Sequence, residues 1–123
     1  FLKKHFIDDL TKTKATSARF DCFSDKFKLN IELKCRRKHY DDLMLEKKKY
    51  DSLVERSTAL DTIPLYINST PEGIWAFYVL NKKYKWEEKC LPKTTSWSKE
   101  KIKKEVTYLH LRDGVELLNL LNK

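Results

Sequence analysis

The sequence predicts a single α/β domain, because segments with the periodicity of helices and of strands follow one another along the chain. Apolar and polar residues alternate over residues 29–36, which is the side-chain period of a strand with one buried face. From about residue 39 to residue 59, apolar residues recur at spacings of three and four, the period of an amphipathic helix. The chain has 123 residues, the size of one domain with a substantial core.

The first half of the chain is predicted to form a helix, a hairpin and a second helix. Residues 1 to about 12 carry a largely apolar stripe at helical spacing, and residues 19–24 and 29–36 alternate as two strands joined by a tight turn over 25–28. The second helix spans 39–59 and is expected to pack on the sheet. Four apolar residues should make its buried face: Tyr40, Leu43, Tyr50 and Val54.

The second half is predicted to begin with another hairpin and to end in a mixed tail. Residues 65–68 and 74–80 are rich in aromatic and β-branched side chains, and turn-forming residues separate them. After Asn81 the periodicity weakens. The expected elements there are a continuation of the sheet at Trp86, a loop over 91–97, a short helix starting at Lys99, a strand or a helix over 106–111, and a closing helix over 115–121.

The formal net charge of +8 is concentrated in two segments of the chain. Residues 26–49 carry nine basic and four acidic side chains, and residues 81–104 carry nine basic and three acidic ones. If the two segments meet in space, they form the basic surface expected of a nucleic-acid-binding protein; if they do not, they are solvated faces.

Cysteine usage and hydropathy indicate a cytoplasmic protein. The three cysteines are odd in number and form no C-x-x-C pair, which favours free thiols in a reducing compartment and argues against a zinc site. No apolar run approaches the length of a membrane span, and the first residues lack the layout of a secretory signal. We therefore expect no membrane partner.

An acid and a lysine two residues apart occur three times, and only one of these pairs lies in a structured context. Glu46 and Lys48 fall on the predicted helix, and Glu87 and Lys89 lie among polar residues. Glu32 and Lys34 instead lie within the alternating strand 29–36, where the period of two points both side chains the same way. The simplest alternative is a solvated ion pair.

The hairpin could also build a metal site around Glu32. Asp21 lies on the partner strand, so its carboxylate could meet that of Glu32, with the backbone carbonyl of Leu33 between them. Two carboxylates and a carbonyl are ligands that Mg²⁺ prefers. Lys34 would then point toward a bound phosphate and stabilise its charge. Asp25 is the alternative to Asp21, although aspartate is also a common turn residue.

On Asp21, on Glu32-Leu33-Lys34 and on the following helix, the sequence resembles the PD-(D/E)XK nuclease superfamily. This superfamily includes archaeal Holliday junction resolvases and small phage enzymes. The resemblance covers residues 1 to about 80, and it departs from the motif at Phe20, where the superfamily name has proline. It implies a restriction-endonuclease-like core of order αβββαβ, with a mixed β-sheet flanked by helices.

The same resemblance implies a metal-dependent endonuclease that cuts duplex or branched DNA with Mg²⁺ or Mn²⁺ and acts as a homodimer. For a phage enzyme, the place of action would be the host cytoplasm. Asp21, Glu32 and Leu33 would hold the metal, and the catalytic residues would be Asp21, Glu32, Lys34 and Lys48. A lysine on the following helix, Lys48 or its neighbour Lys49, would support the site, and Asp8 or Asp9 on the first helix would approach the metal.

Four basic residues are expected to contact DNA: Arg36, Arg37, Lys38 and Lys49. The rival hypothesis is a protein that keeps the nuclease fold without catalysis and serves in nucleic-acid binding or in assembly. The relative positions of Asp21 and Glu32 should separate the two hypotheses.

Overall fold

The computed structural model describes residues 11–12, 22–81, 83–92 and 101–117. Within them lie nine strands and one α-helix. Their bounds, in chain order, are β1 Thr11–Lys12, β2 Cys22–Ser24, β3 Leu29–Cys35, β4 Asp42–Glu46, α1 Lys47–Leu60, β5 Ile63–Thr70, β6 Gly73–Tyr78, β7 Glu87–Pro92, β8 Lys101–His110 and β9 Val115–Glu116.

The main sheet has six strands in the order β1-β2-β3-β5-β6-β9. Strands β3 and β5 run parallel, whereas the other neighbouring pairs are antiparallel, so the sheet is mixed. The parallel pair is joined by a crossover that contains α1, as parallel strands require. The predicted α/β fold with a mixed sheet and a flanking helix is confirmed.

The two predicted hairpins are both present in this sheet. Strand β2 pairs antiparallel with β3, with Cys22 opposite Ile31, and residues 25–28 form the turn. Lys28 closes that turn with a φ of 56°, an uncommon conformation for a residue other than glycine. Strands β5 and β6 pair from Leu65–Tyr78 to Thr70–Gly73, so their turn is shorter than the predicted 69–73.

The predicted second helix is wrong over residues 39–46, where residues 39–41 are irregular and residues 42–46 form strand β4. Leu43 and Leu45 are two residues apart and each is 1% exposed, so a strand buries both on one face. Tyr40 does not pack on the sheet, because it lies outside the helix and is 54% exposed. Tyr50 and Val54 do pack against the core, as expected.

Helix α1 begins at Lys47 and ends before Asp61, which adopts a left-handed conformation with a φ of 55°. Its first turn is stabilised by a 2.9 Å ion pair between Lys47 and Asp51, four residues apart. Leu53 and Ser57 form its most buried stripe. The left-handed residue turns the chain directly into β5, which fixes the short crossover back to the main sheet.

A second sheet of three antiparallel strands, in the order β4-β8-β7, was not predicted. Residues 101–110 form the single long strand β8, so the helix expected from Lys99 is wrong over 101–105, and 106–110 is a strand. Trp86 precedes β7 rather than continuing the main sheet, and Leu91 and Pro92 belong to β7 rather than to a loop. Val115–Glu116 is strand β9, not the start of a helix.

Two apolar clusters lie on opposite faces of the main sheet. The larger one joins α1, both sheets and the centre of β5 and β6, and its buried members are Leu43, Leu45, Leu53, Tyr66, Phe77, Val79 and Leu109. The smaller one contains Cys22, Ile31 and Ile67. Odd-numbered residues of β3 therefore face the smaller cluster, which leaves the even-numbered ones, including Glu32 and Lys34, on the side of α1.

Several predictions fall outside the described residues. These are residues 1–10 of the first helix, the first part of strand 19–24, the loop residues 93–97, the start of the helix at Lys99, and residues 118–121 of the closing helix. Asp8, Asp9 and Asp21 also lie outside. At its end the first helix is wrong, because Thr11–Lys12 forms strand β1. In the described ranges, no helix has the length and apolar character needed to cross a membrane.

Candidate active site

The acid and lysine pair lies at the centre of the main sheet, on the face that α1 covers. Glu32 and Lys34 lie on the same face of β3, and their neighbours across the parallel pairing are Tyr66 and Asn68 of β5. Asn30 begins the row and donates hydrogen bonds to Ser57 at 3.3 Å and to Thr62 at 2.6 Å, around the end of α1. The helix and the two central strands therefore hold the row in place.

Glu32 is a mostly buried carboxylate with a lysine beside it. Its side chain is 13% exposed, and the Nζ atom of Lys49 lies 3.8 Å from its Oε1 atom. Lys49 stands in the first turn of α1 and is itself 61% exposed. Lys48, its neighbour on the helix, is exposed to solvent. Of the two lysines named as supports of the site, the structure thus brings Lys49 to Glu32.

Lys34 lies in an environment that disfavours its charge. Burial lowers the pKa of its ammonium group below the ordinary 10.5, and the nearby positive charges of Arg36 and Lys49 lower it further. The carboxylates of Glu46 and Glu32 act in the opposite direction, but the net shift is downward. A lysine whose pKa is lowered by burial and by specific neighbours is typical of a functional site.

Glu46 is a second carboxylate of this site, although its sequence context predicts a helix residue. It ends β4 directly before α1, and its Oε1 atom accepts a 3.1 Å hydrogen bond from Lys104 of β8. Its charge acts on Lys34 and on the hydroxyl of Tyr66. The alternation across residues 42–46 is the signal that could have placed it at the end of a strand.

Arg36 is an internal cross-link rather than an exposed phosphate ligand. Its Nε atom donates to Asn68 at 2.9 Å, and its Nη2 atom donates to the Met44 carbonyl at 2.5 Å and to the Tyr66 hydroxyl at 3.1 Å. Burial raises the pKa of Tyr66 to about 12, so this hydroxyl stays protonated and donates to Met44. These bonds tie the end of β3 to β4 and β5.

Arg36 thus makes these bonds within the protein, whereas Arg37 and Lys38 are exposed; DNA contact by the three residues stays a prediction. Asn68 is completely buried, and its amide nitrogen has no hydrogen-bond partner among the described residues. Arg36 is the partner of the amide oxygen. The hydrogen bond from Arg36 therefore pairs the amide oxygen of this buried side chain.

We expect Arg36→Ala to lower the free energy of unfolding by roughly 2–3 kcal/mol, because it removes charged hydrogen bonds and leaves a buried amide oxygen unpaired. Arg37→Ala is the matched control, since it removes the same charge from an exposed side chain and should change stability by less than about 0.5 kcal/mol. Urea unfolding followed by circular dichroism measures both. Equal stabilities would show that the network around Arg36 does not hold the strands together.

The described residues supply part of the predicted metal site. Glu32 contributes a carboxylate, and Leu33 contributes the backbone position next to it, a donor set that suits a hard divalent cation. Asp21, which would supply the second carboxylate, lies outside the described residues, directly before Cys22, whose partner Ile31 directly precedes Glu32. In the ranges that the structure describes, no group of three or more histidine, cysteine or acidic side chains could hold a metal ion.

Asp25 lies in the exposed turn between β2 and β3. The turn is closed by a hydrogen bond of 3.2 Å from the Phe27 amide to the Ser24 hydroxyl. Asp25 thus lies at the turn end of the hairpin. Strand β3 begins after that turn at Leu29, and Glu32 is three residues further along the strand. This position is the one expected of an aspartate that serves as a turn residue.

Among solved structures, the chain is similar to Hjc, a Holliday junction resolvase from the archaeal hyperthermophile Archaeoglobus fulgidus. The alignment has a TM-score of 0.57 and 15% sequence identity, and it covers 91% of this chain and 87% of that one. No protein-family model and no curated protein matches the sequence. The predicted fold, a mixed β-sheet flanked by a helix, is thus one that the chain shares with an archaeal Holliday junction resolvase.

Proposed function

We propose that the protein is a metal-dependent endonuclease that hydrolyses phosphodiester bonds of DNA. The observation that carries the proposal is the position of Glu32 and Lys34. They lie side by side at the centre of a mixed sheet whose fold a junction resolvase shares, on the strand that joins an antiparallel hairpin to a parallel crossover. The lowered pKa of Lys34 and the burial of Glu32 distinguish this pair from a solvated ion pair.

In this proposal, Asp21, Glu32 and the carbonyl of Leu33 hold Mg²⁺ or Mn²⁺. When bound, the cation stabilises negative charge on the phosphate and lowers the pKa of a bound water. Lys34 points along the same face and stabilises charge that develops on the attacked phosphate. Lys49, and Lys48 beside it, keep the surroundings of Glu32 positive, which favours the approach of the DNA backbone.

The proposed substrate is duplex or branched DNA, and two observations support it. The similar archaeal protein is a Holliday junction resolvase. The two basic segments also meet at the site, because Lys104 binds Glu46 at 3.1 Å and the Nζ atom of Lys47 lies 5.9 Å from the ring centre of Trp86. Arg37 and Lys38, which follow β3 in the chain, add two exposed basic side chains. We further propose that the protein acts as a homodimer in the cytoplasm, in a phage-infected host if it is phage-encoded.

Incubation with single-stranded, duplex and four-way-junction DNA, with Mg²⁺, with Mn²⁺ and with a chelator, tests the proposal. We expect cleavage of duplex or junction DNA that requires a divalent cation and stops when the chelator is added. Should no DNA or RNA form be cut while DNA still binds, the protein would be a binding module that keeps the nuclease fold. The approach of Lys49 to Glu32 would then be a purely structural ion pair.

A further inference from the structure

The β7–β8 hairpin is a two-stranded ribbon for most of its length. Strand β7 pairs with residues 101–106 of β8, whereas β4 pairs with residues 106–110 on the other edge. Val106 is the one residue of β8 that pairs with both β4 and β7. The other five pairs of β7 and β8, from Glu88–Glu105 to Pro92–Lys101, therefore extend beyond β4. At about 3.4 Å per residue, this part is roughly 17 Å long.

The ribbon is exposed on both faces. Paired residues share a face, so Lys89 lies on one face with Lys104, and Cys90 lies on the other with Lys103. Lys89, Cys90 and Lys103 are all exposed, and so is Ile102, at 38%. An isolated two-stranded hairpin is marginally stable in water, so a ribbon of this kind gains stability when a partner covers it.

The charge of the ribbon indicates the chemistry of that partner. The ribbon residues 87–92 and 101–105 carry four lysines and three glutamates, and residues 83–86, which lead into β7, add two more lysines. The excess of ammonium groups suits a phosphate backbone, and the major groove of duplex DNA is wide enough to admit a two-stranded β-ribbon. An acidic protein partner would also suit the charge, but the base of the ribbon lies beside the candidate active site, where the Nζ atom of Lys47 is 5.9 Å from the ring centre of Trp86.

The base of the ribbon is fixed beside that site. Trp86, directly before β7, packs on Tyr50 of α1 with ring centres 5.3 Å apart, and Tyr84 lies 5.6 Å from the same tyrosine. On β8, Lys104 donates to Glu46, whose charge acts on Lys34. The ribbon thus extends from the first turn of α1, on the side where Glu32 and Lys34 lie.

We infer that the β7–β8 ribbon is a DNA-binding arm that enters a groove of the duplex next to the cleavage position. This inference rests on the proposed nuclease function for its choice of DNA. It assigns binding to a part of the chain that carries no catalytic group, so binding and cleavage can be tested separately.

Removing positive charge from the ribbon tests the inference, and the affinity for duplex DNA is the quantity measured. The double variant Lys89→Ala with Lys103→Ala should bind duplex DNA about tenfold more weakly in a chelator, and its salt slope should fall by about 2. The matched control, Lys26→Ala with Arg56→Ala, removes the same charge from the remote end of the main sheet and of α1. Equal losses in the two variants would overturn the inference, because the effect would then be one of net charge.

Crosslinking tests the position of the arm directly. Of the three cysteines, Cys22 is buried, so Cys35→Ser leaves Cys90 as the exposed thiol to label with a benzophenone maleimide. Light should join Cys90 to duplex DNA in the chelator. The same label on Lys26→Cys, in a chain that carries Cys35→Ser and Cys90→Ser, should give little product.

The possible outcomes separate this inference from the proposed function. DNA that binds the labelled protein without crosslinking through Cys90 overturns the arm alone. DNA that crosslinks at Cys90 but is never cut with Mg²⁺ or Mn²⁺ keeps the arm and overturns the nuclease. A protein that binds no duplex or junction DNA at low salt overturns both.

Discussion

Glu32→Gln is expected to abolish divalent-dependent cleavage and to remove metal binding. The amide keeps the size of the side chain but gives up the negative charge that attracts a hard cation. Because Glu32 is 13% exposed, solvent cannot replace that charge easily. Cleavage assays with Mg²⁺ and Mn²⁺, together with calorimetric titration of Mn²⁺, measure the two effects.

Two further variants serve as controls for Glu32. Asp21→Asn should lose cleavage and metal binding as Glu32→Gln does, if the two carboxylates hold one cation. Asp25→Asn should change little, because Asp25 lies in the exposed turn. A Glu32→Gln protein that still cuts DNA at the parent rate would exclude Glu32 as a metal ligand.

Lys34→Ala is expected to slow cleavage on the order of 100-fold or more while metal and DNA binding persist. This is the scale of loss when one electrostatic stabiliser of a transition state is removed. Single-turnover rates measure the effect, and calorimetric titration of Mn²⁺ checks the metal. Equal rates for Lys34→Ala and the parent protein would show that the ammonium group does not act on the phosphate.

The stability of a Lys34 variant shows whether its slower cleavage comes from lost catalysis or from unfolding. The folded pKa of Lys34 lies below its unfolded value, so the charged side chain destabilises the fold. That destabilisation is complete at any pH below the folded pKa and disappears as the pH rises from there to the unfolded pKa. Lys34→Met, which keeps an unbranched apolar chain, should therefore unfold at neutral pH with a free energy no lower than the parent. A loss of activity in this variant cannot then come from unfolding.

The central hairpin, and the face of it that carries the acid and lysine pair, follow from the local sequence pattern. Over Leu29–Cys35 the local pattern and the tertiary environment agree, because Ile31 is buried on one face while Glu32 and Lys34 share the other. The period of two is a property of the extended backbone, so it can be read without knowing what covers either face. Strands β5 and β6 were predicted from a different signal, their aromatic and β-branched residues.

Residues 39–46 show where the pattern becomes ambiguous. Tyr40, Leu43 and Tyr50 fit a helical spacing, and Leu43 and Leu45 fit a strand. The structure resolves this in favour of β4, because pairing with β8 satisfies its backbone and buries both leucines. That partner is more than fifty residues away in the chain, so no local window contains the deciding interaction.

Which charged side chains meet at the site depends on long-range packing. Lys49 rather than Lys48 reaches Glu32, because α1 starts at Lys47 and its rotation about its own axis is set by packing on the sheet. Arg36 turns inward because Met44, Tyr66 and Asn68 offer acceptors from two other strands. A sequence specifies that a residue is charged, but its role depends on partners that long-range strand pairing brings into reach.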